Sequence, residues 1–195
     1  MSKKIIIRDE DLKEFSENYP VKLIPEATHD QVSMLRVFKD RFNGYNSVLS
    51  FNMGLDISAK HVFDEVTFIN YNGRVSDALK RNNLKSYRSI DDVKNKFGVV
   101  LFNGITSDFD NLEKVLDDNH YVVTTNNHGV AYDLWNSNNY TLIGGIGKPN
   151  SSIILTQMID GFRFNKIDNE DNYFKSLKTK TSNRDINEKY VFIKD

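Results

Sequence analysis

Apolar positions along this chain switch repeatedly between a helical and an extended spacing, and that switching predicts alternating helices and strands. Met34, Leu35, Phe38 and Phe42 recur at helical spacing behind Thr28 and Gln31, a pair that fits a capping box, so a helix is expected from Thr28 to about Phe42. Asn43-Gly44 ends it. Ser47–Phe51 (SVLSF) then reads as a strand entering a turn at Asn52, Met53 and Gly54, with a short helix expected over Ile57–Phe63. Further strands are predicted at Val66–Ile69 (VTFI), Leu84–Tyr87, Phe97–Phe102 (FGVVLF) and Tyr121–Thr125 (YVVTT), with a helix over Arg74–Arg81. Ser107 and Asp110 offer a cap for a helix whose stripe is Phe109, Leu112, Val115 and Leu116. Near-continuous apolar strands suit a parallel sheet covered on both faces, joined by right-handed crossovers.

The last third changes character. Ser151–Met158 reads as a helix, Phe162–Ile167 as an alternating strand, Asp168–Asn187 as a polar surface loop, and Tyr190–Ile193 (YVFI) as a final strand. The two strands are expected to pair antiparallel at a sheet edge. The expected architecture is therefore α/β: a Rossmann-like mixed sheet, mainly parallel with a C-terminal antiparallel strand pair, and helices on both faces. Residues 1–27 form a preamble, and 28–195 a single domain with no Pro/Gly/Ser-rich linker to divide it.

This order of elements resembles the class I S-adenosylmethionine-dependent methyltransferases over about Thr28–Lys194. In that family the first strand and turn read V-L-D-x-G-x-G-x-G, against Val48, Leu49, Ser50, Phe51, Asn52, Met53, Gly54, Leu55 and Asp56 here. Gly54 coincides with a family glycine. Those glycines let the backbone turn sharply and approach a ligand, and Asn52 stands in for one because Asn tolerates left-handed backbone. Asp56 either borders the cofactor or caps the following helix.

The resemblance implies S-adenosylmethionine as cofactor, with an unidentified acceptor substrate or protein partner. It places Asn70 where the family carries a ribose-binding carboxylate. It also places Asp91 where adenine contacts occur, and Asn103 where amino-directed DNA methyltransferases carry an Asn/Asp-Pro-Pro-aromatic loop. Asn70 with Asn72 also reads as a plain turn in NYNG, and Asp91-Asp92 as a solvated helix end. Asn103-Gly104-Ile105-Thr106 lacks both prolines and the aromatic, which argues against amino methylation of nucleobases. A non-catalytic scaffold of the same fold, or another nucleotide-binding α/β protein, stands beside the methyltransferase reading.

Composition narrows the chemistry. The absence of cysteine removes disulfides, thiolate metal sites and a cysteine nucleophile. A net charge of -1 gives no global field for nucleic acid. The three isoleucines after Lys3-Lys4 are too short a run for a signal core or membrane span, so the expected compartment is the cytoplasm. The four histidines have no metal-ligand spacing, and no metal is expected. His128, in TTNNHG after the fifth strand, is a candidate general base or an ordinary loop residue. Trp135, Tyr132 and Tyr140 read as a substrate wall or as core. Gly144, Gly145 and Gly147 look superficially like a phosphate loop but lack its Lys-Ser/Thr context.

Overall fold

The computed structural model describes residues 23–42, 45–125, 129–147, 154–157 and 189–194. In chain order these form α1 (His29–Arg41), β1 (Ser47–Phe51), a 3-10 turn at Ser58–His61, β2 (Glu65–Ile69), α2 (Gly73–Arg81), β3 (Ser86–Tyr87) and a 3-10 turn at Ile90–Asp92. There follow β4 (Phe97–Phe102), α3 (Thr106–Leu112), a 3-10 turn at Glu113–Val115, β5 (Leu116–Thr124), α4 (Val130–Asn136), β6 (Tyr140–Gly147), β7 (Ile154–Gln157) and β8 (Lys189–Lys194). All eight strands join one sheet in the order β3-β2-β1-β4-β5-β8-β6-β7. The first five are mutually parallel, while β8 runs antiparallel to β5 and β6, and β7 antiparallel to β6.

The two-residue period of each strand sorts its side chains onto two cores. Leu49, Phe51, Val100, Phe102, Val122 and Phe192 face α3 and α4, while Val48, Val66, Val99, Leu101, Val123 and Val191 face α1. Both faces are covered, which is why these strands are apolar throughout rather than alternating. Helix α1 begins where the sequence predicts: the Thr28 hydroxyl accepts from the Gln31 amide at 3.4 Å, and Met34, Leu35 and Phe38 are buried. A hydrogen bond of 3.0 Å between the Ser76 and Ser86 hydroxyls pins α2 to β3 inside the core.

Several expectations need correction. The stripe ending in Leu116 is not one helix: α3 stops at Leu112, Val115 lies in a 3-10 turn and Leu116 opens β5. Its N-cap is Ile105 rather than Ser107, with the Ile105 amide donating to Asp108 Oδ2 at 3.3 Å. The helix expected over Ser151–Met158 is replaced, in its described part, by strand β7. The glycines at 144, 145 and 147 lie within strand β6 and form no phosphate loop. Strand β8 confirms the expected YVFI strand but lies between β5 and β6 instead of at an edge. The expected strand at Phe162–Ile167 and the loop after it lie outside the described residues. No helix among the described residues is long and apolar enough to cross a membrane.

Candidate functional site

In open α/β sheets the carboxyl ends of the parallel strands form the ligand edge, where strand order reverses. Here that reversal lies between β1 and β4, and the loops leaving β1, β2 and β4 meet there. The chain leaves β1 through two residues of positive φ, Asn52 at 51° and Gly54 at 63°. A methyl group at Gly54 would meet nothing within 4 Å, so its backbone geometry, rather than crowding, calls for glycine, and its outer face is open.

Two asparagines stitch the loops together. Asn52 Oδ1 accepts from the Tyr71 amide at 3.3 Å, and Asn103 Nδ2 donates to the Asn52 carbonyl at 3.1 Å. Asn70, buried at the end of β2, accepts from the Asn72 amide at 3.0 Å. Asn72 in turn caps α2 by accepting from the Arg74 and Val75 amides. Asn70 and Asn72 thus build the NYNG turn whatever else Asn70 binds.

Beneath these loops Phe51 and Phe102 stack with centroids 5.1 Å apart, and Tyr71 stands edge-on to Phe51 at 5.3 Å. Gly104 closes over the stack. A Cβ there would lie 2.9 Å from Phe102 Cζ, Phe51 Cε1 and Asp108 Oδ2. Tyr71 is 46% exposed, and its hydroxyl titrates above its ordinary range because of burial and the charges of Asp108 and Asp91. Asp91 lies in the 3-10 turn after β3, near enough for its charge to act on Tyr71. Its carboxyl is held below the usual carboxylate range by hydrogen bonding to Lys114.

Asp56 lies away from this rim, on the side of α1. Asp56 Oδ1 accepts from the Ser58 amide at 2.8 Å, capping the 3-10 turn, and the Asp56 backbone bridges to Glu26. Asp56 also lines a cavity of about 600 Å³ with Glu26, Thr28, Gln31 and Leu55. His128 lies outside the described residues. Trp135 is 39% exposed on α4 and Tyr140 is buried in the core at the start of β6.

Sequence reasoning missed Tyr71 and Lys189. Tyr71 follows the strand-ending Asn70 directly, which was the available signal. Lys189 precedes the YVFI strand, and two-residue alternation puts it on the face of Val191, where it is buried.

The sequence matches no family model and no curated protein. Among solved structures, the O-methyltransferase from Bacillus cereus in complex with SAH aligns over 98% of this chain and 93% of its own, at TM-score 0.53 and 9% identity. The plantazolicin methyltransferase BpumL, in complex with a triazolic desmethylPZN analog and SAH, aligns over 96% of this chain and 92% of its own, at TM-score 0.48 and 13% identity. With the parallel order β3-β2-β1-β4-β5 and an antiparallel strand inserted beside β5, the likeness to the Bacillus cereus structure shows that this chain carries the Rossmann-like fold of the class I S-adenosylmethionine-dependent methyltransferases.

Proposed function

We propose that the chain binds S-adenosylmethionine across the carboxyl ends of β1, β2 and β4 and works as a methyltransferase. The observation that carries this reading is the turn after β1, with left-handed backbone at Asn52 and Gly54 at the point where strand order reverses. The donor set fits the cofactor. The open face of Gly54 lets backbone approach a ligand, Asn70 and Asp91 offer acceptors for hydroxyl and amino groups, and Tyr71 supplies an exposed ring. When bound, S-adenosylmethionine supplies an electrophilic methyl group on a sulfonium. The residues of this chain would hold and orient it, with proximity contributing the main acceleration.

A second reading, a non-catalytic scaffold of this fold, draws support from the chemistry of Asn70. Its amide oxygen is already engaged by Asn72, and it has no charge with which to hold a ribose diol tightly.

Thermal unfolding of the full chain with saturating S-adenosylmethionine or SAH, against NAD and ATP as controls, tests the first reading. Ligand at about 100 times its Kd stabilises a native binder by about 2.7 kcal/mol, roughly 5–10 °C for a domain of this size. A shift selective for the first two ligands is expected. No shift with any of them overturns the reading and leaves the scaffold.

A further inference from the structure

A cavity of about 190 Å³ is lined by residues of α3, of α4 and of the start of β6, and shares no residue with the candidate cofactor edge. Its floor is apolar: Phe109, Leu134 and Tyr140 line it and are buried. Its rim is acidic. Asp110, Glu113 and Asp133 line it from exposed positions, and among the described residues no lysine, arginine or histidine does. A negative mouth over an apolar, partly aromatic floor suits an organic cation, because ring faces attract positive charge and the apolar surface covers the body that carries it.

The wall of the cavity is also short of hydrogen-bond donors. Tyr140 Oη lies 2.9 Å from His120 Nε2 and 3.1 Å from Glu113 Oε1, with one hydrogen for both. His120 Nδ1 donates to the Asp117 carbonyl, so a neutral imidazole takes that hydrogen on Nε2, and the Tyr140 and Glu113 oxygens face each other without one. Lys194 relieves this from β8, its ammonium 3.1 Å from Glu113 Oε1 and 6.0 Å from the centre of the Tyr140 ring. The chain's own lysine thus shows what this wall binds: an ammonium held by a carboxylate and a ring. The other two carboxylates have no such cation. Among the described residues Asp133 accepts from the neutral Thr106 hydroxyl, and Asp110 has no hydrogen bond or ion pair.

We propose that this cavity is a binding site for a small organic ammonium, an alkylamine or arylamine whose body covers Phe109 and Leu134 while its N–H groups reach Asp110 and Asp133. The site goes beyond the cofactor reading and does not depend on it. The same carboxylates repel anionic ligands, and among the described residues no group of three ligands is placed to hold a metal ion.

Calorimetric titration of the full chain with benzylamine and with benzyl alcohol, at low salt and pH 7.5, tests it. The two probes share ring and size, but only the amine is a cation. Benzylamine should bind about fivefold more tightly or better, the worth of an exposed charge pair, and added salt should shrink the preference. Asp110→Asn and Asp133→Asn together keep the acceptor for Thr106 and should remove the preference while leaving benzyl alcohol unchanged. Leu134→Phe fills the floor and should weaken both probes. Where that variant fails to fold, the two exposed carboxylates still decide. No binding of benzylamine, equal binding of the two probes, or a preference that survives loss of both carboxylates overturns the site and leaves the cofactor reading untouched.

Discussion

Replacing Tyr140 by Phe removes one oxygen from a chain of four side chains and exposes how they share protons. His120 is buried in β5, and its Nδ1 lies 2.6 Å from the Asp117 carbonyl, which can only accept, so that nitrogen carries hydrogen. The Tyr140 hydroxyl has a single hydrogen to give, yet sits 2.9 Å from His120 Nε2 and 3.1 Å from Glu113 Oε1. With neutral imidazole the hydrogen goes to Nε2. Glu113 is then served by Lys194, 3.1 Å away. Burial pulls the Glu113 pKa up, but Lys194, with smaller contributions from Tyr140 and His120, outweighs it and holds the group below its ordinary range. Tyr140→Phe leaves the ring packed on Phe109, at a centroid distance of 5.6 Å, and leaves Nε2 of a residue 1% exposed without a partner. Glu113 is far more open and turns to water. The loss is therefore that of one buried acceptor, about 1–3 kcal/mol, and 2 kcal/mol corresponds to roughly 4–8 °C in Tm for a chain of this length. Urea denaturation and thermal unfolding at pH 7.5 measure it. A variant within about 1 °C of the wild type refutes the assignment of the hydroxyl as the partner of His120.

Other consequences are as concrete. Burial keeps the His120 pKa below its ordinary 6.5, so below that pH the unfolded chain binds a proton that the fold resists. Stability should then fall as pH drops from 7.5 to 5.5, and His120→Gln should flatten that slope; an unchanged slope would sink the linkage. Gly104→Ala drives a methyl group into the Phe51–Phe102 stack and should cost about 1–3 kcal/mol by urea titration. Equal stability would mean that the rings give way. Asn70→Asp keeps the acceptor toward the Asn72 amide and adds the charge that the turn lacks, so SAH should bind about tenfold more tightly by calorimetry. Weaker binding would place the ribose elsewhere.

The parallel half of the sheet was legible because each strand there is a short apolar run between turn residues. Phe97–Phe102 is the clearest case, with every residue buried. The failures have a physical origin in partners that lie far away in sequence. Strand β6 is built on Gly144 and Gly145, whose lack of side chains mimics a loop until β7 and β8 supply hydrogen bonds on both sides. The Phe109–Leu116 stripe keeps helical spacing through a 3-10 turn, and spacing cannot distinguish that turn from a helix. At the site, the special backbone at Asn52 and Gly54 was readable from turn chemistry. The burial of Lys189 was not, because it depends on β8 lying inside the sheet beside β6.

The insertion of β8 between β5 and β6 also dictates an order of assembly. During synthesis β5 and β6 are complete well before residues 189–194 emerge, and their facing edges have no strand to bond until then. Until then the β5 edge, with its apolar Val122 and Val123, stays open. Open strand edges of this kind attract other chains, so nascent protein should depend on holding factors until the wedge arrives. A peptide carrying the β8 sequence should compete for that edge.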